Sequence, residues 1–322
     1  MRLRLVPQDT SWDFFYYAKA TLGASIVAVI LSLVLWVTVG LDFGIDFRGG
    51  TTIRTESAQV VDVGAYRDAI APLNLGDISI TEVFDPTFGP EKNVAMLRIQ
   101  AQDGVESVTA QTIVAVEAAL KAIDPSITFP SVESVGPKVS GELVRSAVVA
   151  VGLSLAAILF YIWLRFEWQF SVGAVAALFH DVILTIGIFA ALQIRFDLAT
   201  IAALLTIVGY SINDTVVIFD RVRENLIKYK TKPLRDVMNL SVNETLSRTV
   251  MTSGTTLLAL LALLILGGDV IRGFVFAIFW GVIVGTYSSV YVAKNIVLML
   301  GTKRDWSKPT DNTGNQFANT DP

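Results

Sequence analysis

The amino-acid sequence predicts an α-helical polytopic membrane protein with six transmembrane helices and one extracytoplasmic α+β domain inserted between helices 1 and 2. Three observations carry this expectation. Of 322 residues, 53% are hydrophobic and 17% charged, with a mean hydropathy of +0.58, which is too apolar for a globule that must present a polar surface to water. Six apolar runs are long enough to cross a hydrocarbon core, which takes about 20 helical residues. Between the first and second runs, residues 41–141 have the composition of a soluble domain.

The first run, residues 20–39, carries no charge and follows Arg2, Arg4 and Lys19. A cleaved signal peptide has a shorter apolar region and a small-residue cleavage site, whereas this run passes straight into LDFGIDFRGGTT, so residues 1–40 read as a cytoplasmic N-terminus and an uncleaved first helix. In the 41–141 domain, the pattern predicts strands at 51–57, 78–84, 94–100 and 127–135 and helices at 63–73 and 105–123. DPTFGPEKN between the second and third strands marks a turn through its Pro and Gly. This is the β-α-β-β-α-β order of a ferredoxin-like sandwich. Within 142–300, five more runs at 144–164, 170–192, 198–219, 250–266 and 273–298 complete the bundle, and 221–247 reads as a cytoplasmic loop. The tail, 301–322, is rich in Asn, Thr, Asp and Pro and reads as disordered.

Six crossings place both termini on one side. The 221–247 segment carries Arg221, Arg223, Lys228 and Arg235 and the tail carries Lys303, Arg304 and Lys308, and a Lys/Arg excess in such flanks marks the cytoplasm. The basic N-terminal flank points the same way. There is no Cys and a single His, so disulfides, thiolate sites and His-rich metal sites are not expected. A net charge of −4 argues against a nucleic-acid binder.

Four ionisable side chains lie in or against the apolar runs: His180, Asp181, Asp214 and Arg248. A charge at that depth costs about 3 kcal/mol or more, so each is expected to face the bundle or a wet cavity. Asp181 falls near mid-bilayer, and Asp214 lies about one and a half turns before Asp220 and Arg221. Arg248 opens the fifth run at a depth that matches Asp214 as a neutralising partner and proton switch, or it snorkels to the headgroups and never meets Asp214. His180 and Asp181 are adjacent on a helix and point in different directions, so each has a helix-packing reading beside a proton-pathway one. Ser211 and Asn213 read as polar lining beside Asp214 or as interhelical glue. In FGIDFRGGT, Gly49 and Gly50 read as a constrained turn; Gly136 and Pro137, in SVGPKVSGELV, read as structural punctuation before the second helix. A phosphate-binding loop would need Gly-rich spacing followed by Lys and Ser or Thr at a helix start, and neither is here.

FGIDFRGGT, VGPKVSGEL, FHD, VGYSINDTVVIFDRVREN and NETLSRTVMTSGTT occur in that order along the chain. With these stretches the sequence resembles the SecF family of bacterial protein-export subunits, part of the resistance-nodulation-division superfamily. The resemblance covers about residues 14–300. It implies half of an RND-type bundle, in which six helices pair with six from SecD in pseudo-twofold fashion. It further implies a machine in the bacterial inner membrane that uses the proton motive force beside the SecYEG channel to pull unfolded exported polypeptides outward. SecA spends the ATP in that pathway, and this subunit would have neither cofactor nor catalytic reaction. The coupling ion is H⁺ in the family pattern and Na⁺ in some members. Asp214 in GYSIND and Arg248 in LSRT fall on the family's proton-pathway positions, and a further carboxylate belongs to SecD.

Two other classes compete. One is a stand-alone small-molecule or lipid exporter of the same superfamily, working as a homodimer. The other is an intramembrane aspartyl protease using Asp181 and Asp214; the Gly-x-Gly-Asp sequence expected of that class is missing.

Overall fold

The computed structural model describes residues 10–76, 78–84, 92–100 and 108–302. Arg2, Arg4, most of the DPTFGPEKN turn, the helix start expected at 105 and the tail from 303 lie outside these. Among the described residues, six helices are long and apolar enough to cross a membrane. They are α1 (Ala18–Thr38), α5 (Pro137–Arg165), α6 (Trp168–Leu192), α7 (Leu198–Lys228), α8 (Leu234–Leu266) and α9 (Asp269–Ser288), the last continuing through a π-helical turn, Ser289–Ala293, into α10 (Lys294–Leu300). The segment expected as a cytoplasmic loop is mostly helix. α7 has 31 residues and α8 has 33, or about 45 to 50 Å each at 1.5 Å per residue, against a hydrocarbon core of about 30 Å. Only residues 229–233 connect them, so a helical hairpin projects beyond the bilayer on the side away from the α+β domain. Its polar residues pair internally: Arg221 Nε donates to Glu244 at 2.6 Å, and Asn225 Nδ2 donates to Glu244 and to Ser241.

The inserted domain has the predicted order. It comprises α2 (Ile45–Arg48), β1 (Gly50–Ser57), α3 (Val63–Ile70) with a short 3₁₀ extension, β2 (Ile78–Val83), β3 (Asn93–Gln100), α4 (Ala110–Ile123) and β4 (Thr128–Val135). The strands form one antiparallel sheet in the order β2-β3-β1-β4. α4 begins only at Ala110 because the Thr109 hydroxyl accepts the Thr112 N–H and caps it. Strand alternation sends Ile53, Leu97, Ile99 and Ile80 toward α3 and α4, where they pack with Tyr66, Ile70, Val116 and Leu120. Each fully buried aliphatic side chain there contributes roughly 1.5–3 kcal/mol. The opposite face is polar and looks toward the helix ends. By register it carries two rows across all four strands, Ser79–Arg98–Thr52–Glu133 and Thr81–Met96–Arg54–Ser131.

Main-chain hydrogen bonds tie this domain to the bundle at two interhelical turns. At the α6–α7 turn, Phe43 bridges Phe196 in parallel, with Gly44 N donating to Phe196 O at 2.8 Å and Phe196 N to Asp42 O at 2.7 Å. Asp46 accepts the Leu198 N–H, and Asp197 caps α7 through a reciprocal pair with Thr200. At the α8–α9 turn, Asp269 N donates to Phe84 O at 2.9 Å while the Asp269 carboxylate accepts the Phe84 N–H at 2.6 Å. Gly49 and Gly50, with φ of 75° and 136°, carry the chain from α2 into β1 through conformations closed to other residues. Gly136 is different. Its φ of −72° demands no glycine; it is the N-cap of α5, with Pro137 in the first turn where a missing N–H costs nothing.

Candidate functional site: two buried carboxylates on adjacent turns

Close helix approach brings the polar side chains together. A Cβ on Gly285 of α9 would lie 3.0 Å from Ser211 Cβ, and one on Gly173 of α6 would lie 2.8 Å from the Ala293 carbonyl oxygen. Only glycine lets these backbones meet, as in other membrane bundles packed on small residues.

Asp181, on α6, is 0% exposed and fully partnered. Its Oδ2 accepts from Ser211 Oγ of α7 at 2.6 Å and from Ser288 Oγ of α9 at 2.8 Å. Its Oδ1 lies 2.9 Å from His180 Nδ1, so the adjacent residues meet here, although their directions on the helix do not require it. The His180 ring stacks on Tyr287. Tyr287 in turn donates to the Thr21 carbonyl at 2.8 Å and contacts Ser25 of α1. One carboxylate therefore joins α6, α7 and α9, and through His180 and Tyr287 reaches α1.

Asp214 lies one turn along α7 from Ser211 and is 3% exposed, yet its Oδ2 has no hydrogen-bond partner among the described residues. The Arg248 guanidinium of α8 is near enough to act on it through space. The side chain of Arg248 is exposed, and no ion pair within 4 Å joins the two. The neutralising contact is thus absent in this conformation. Ser211 is committed to Asp181 and does not line Asp214. Asn213 is exposed, and no hydrogen bond joins it to either carboxylate among the described residues.

One buried charge escaped the sequence reading. Lys294, 0% exposed, lies inside the sixth span just after the π-helical turn. Its Nζ donates to the Phe14 carbonyl at 3.0 Å and sits over the rings of Phe15 at 3.9 Å, Phe14 and Tyr291. A cation can be stabilised by such a cage without a carboxylate. Its signal was available, since a lone Lys interrupts SVYVAKNIVLML. No group of three or more metal-ligating His, Asp or Glu side chains occurs among the described residues.

Comparison with known proteins gives a consistent set of matches. The family described as Protein export membrane protein SecD/SecF, C-terminal, matches residues 115–303, and the SecD/SecF GG Motif matches residues 34–59, which include Gly49 and Gly50. Protein translocase subunit SecF of Cereibacter sphaeroides is 67% identical over 99% of this chain and 99% of its own length, and that of Rhodobacter capsulatus is 64% identical over 96% of each. Among solved structures, SecDF of Thermus thermophilus, titled a translocon-associated membrane protein, superposes with a TM-score of 0.81 at 36% identity over 93% of this chain. The chain spans 40% of that longer SecDF chain.

Proposed function

Because the chain belongs to the SecF family of protein translocase subunits, we propose that it works with SecD to couple the proton motive force to export of unfolded polypeptides through SecYEG. In this reading it sits in the bacterial inner membrane with both termini in the cytoplasm and the α+β domain outside, as its Lys/Arg flanks indicate. The near full-length match to SecF relatives favours this over a stand-alone exporter.

A single observation carries the mechanism: Asp214 is buried while one of its oxygens lacks a partner and the neighbouring cation stops short of pairing. A carboxylate saturated like Asp181 has nothing to exchange. Asp214 can bind and release H⁺, and ionisation draws Arg248 inward whereas protonation frees it. The two helices concerned, α7 and α8, each end at a turn tied to the outer domain, so a change in their packing moves that domain. Each charge crossing 100 mV supplies about 2.3 kcal/mol, enough to change the ratio of two packings by about fiftyfold. Asp214→Asn should leave assembly with SecD intact and abolish gradient-dependent stimulation of export in membrane vesicles; stimulation at the wild-type level would remove Asp214 from the mechanism. Collapsing the H⁺ and Na⁺ gradients separately in the same vesicles identifies the coupling ion.

A further inference from the structure

A cavity of about 790 Å³ separates the polar face of the sheet from the domain-side ends of the helices. Its roof is the pair of cross-strand rows, and its floor is formed by the α6–α7 and α8–α9 turns. Four arginines and five acids line it, but they are not equally engaged. Asp46 holds the Leu198 N–H, Asp197 caps α7, Asp269 holds the Phe84 N–H and pairs with Arg272, and Glu133 accepts from Ser131. Two cations are left over. Arg98 Nη1 is buried with no hydrogen-bond partner among the described residues, and its Nη2 reaches only the weak acceptor Met96 Sδ. The guanidinium of Arg195, in the α6–α7 turn, likewise has no hydrogen bond or ion pair among the described residues. Burial pulls its guanidinium below the ordinary range, with Asp42 and Asp197 opposing from a distance.

We propose that Arg98 and Arg195 form a binding site for a phosphate anion, supplied by a phospholipid headgroup of the domain-side leaflet or by free phosphate. Both arginines line the large cavity and the smaller one beside it, so they approach a common space from the roof and the floor. Guanidinium forks match phosphate oxygens in geometry and charge. Thr52 and Ser79, the cross-strand neighbours of Arg98 on its row, add hydroxyl donors on either side. The floor is apolar at Ile194 and Phe274, where the glycerol end of a lipid would lie, and the cavity sits at the level where the helices leave the membrane.

The site is independent of the proton-coupling reading and is tested without export. The full chain, purified in mild detergent with whatever partner accompanies it, is examined by native mass spectrometry for retained phospholipid. It is also titrated with sodium phosphate, and with sodium acetate at equal ionic strength. Retained phospholipid identifies a headgroup site, and phosphate binding with no retained lipid identifies a free-anion site. In either case Arg98→Gln with Arg195→Gln should weaken binding about tenfold or more, and Arg67→Gln, on the exposed side of α3, should not. Occupancy unchanged in the double variant overturns the proposal. So does a wild-type chain that retains no phospholipid and binds phosphate no better than acetate, a comparison that stands even where the variants fail to fold.

Discussion

Asp181 and Asp214 share the interior of one bundle and differ in what surrounds them, so the same substitution should act differently at each. Removing the Asp181 carboxylate strands the Ser211 hydroxyl and the His180 Nδ1, while Ser288 keeps its bond to the Gly285 carbonyl, and each buried polar group stranded this way costs about 1–3 kcal/mol. Asp181→Ala should lower the thermal unfolding midpoint by several degrees, while Asp214→Ala, at a carboxylate whose Oδ2 has no bond to lose, should lower it much less. Equal losses in the two would refute the division of roles. A third carboxylate, Asp124 in the soluble domain, is held below the usual carboxylate range by the Ser57 and Ser126 hydroxyls and the Ser126 N–H. Its stabilisation is therefore complete above the ordinary carboxylate pKa and fades as pH falls through the lowered one. Asp124→Asn should destabilise the chain at pH 6, and the gap from wild type should close toward pH 3; a constant gap would show that the carboxylate charge is not responsible. The identity of the intramembrane acids was legible in the sequence because any charge in an apolar run stands out. Their partners were not, because Ser211 serves Asp181 rather than Asp214 only through the register of α6 against α7, and that register is set by contacts between helices.

At the scale of elements, composition located the apolar part of each helix and missed its ends. Residues 234–249 mix Asn, Ser, Glu and Arg with aliphatic side chains, so no apolar run announced that α8 begins at Leu234. The reason for the extension lies in what it grips. Asn239 and Asn243, one turn apart, accept the Phe14 and Trp12 N–H groups at 2.9 Å and donate to the Trp12 carbonyl, while Arg235 pairs with Asp13. The N-terminal segment is thereby strapped across the hairpin, and Lys294 holds the Phe14 carbonyl. Asn239→Ala with Asn243→Ala should raise amide hydrogen exchange at Trp12 and Phe14 by tenfold or more without changing exchange in β1 or β3; unchanged protection would mean that the strap is held by Phe14 and Phe15 packing alone. The inserted domain was read more fully, since strand alternation with period two and the breaks between runs fix order and facing directly. Its strand starts moved by one residue at most, and α4 starts at Ala110, where the Thr109 cap decides the boundary.

For the whole molecule, the question is how a change among the helices reaches a domain outside the membrane. The covalent connections alone would let that domain swing, since it hangs from α1 and α5 through Gly40 and Gly136. The two ties remove that freedom, and they fall at the turns that join α6 to α7 and α8 to α9, so the helices carrying Asp181, Asp214 and Arg248 are the ones attached. The α8–α9 tie rests on Asp269, whose backbone N–H and carboxylate both engage Phe84. Losing the carboxylate from this partly exposed contact should cost about 1 kcal/mol, enough to populate a loosened state while the Phe43–Phe196 bridge keeps the domain attached. The chain has no cysteine, so spin labels can be placed at Lys121→Cys on α4 and Ile265→Cys near the end of α8 without background. Asp269→Ala should broaden the distance distribution between them toward longer values, and Asp236→Ala, at the far end of α8, should leave it unchanged. If the distribution keeps its wild-type width in Asp269→Ala, the helix turns do not hold the domain, and motion of α8 has no route to it through that turn.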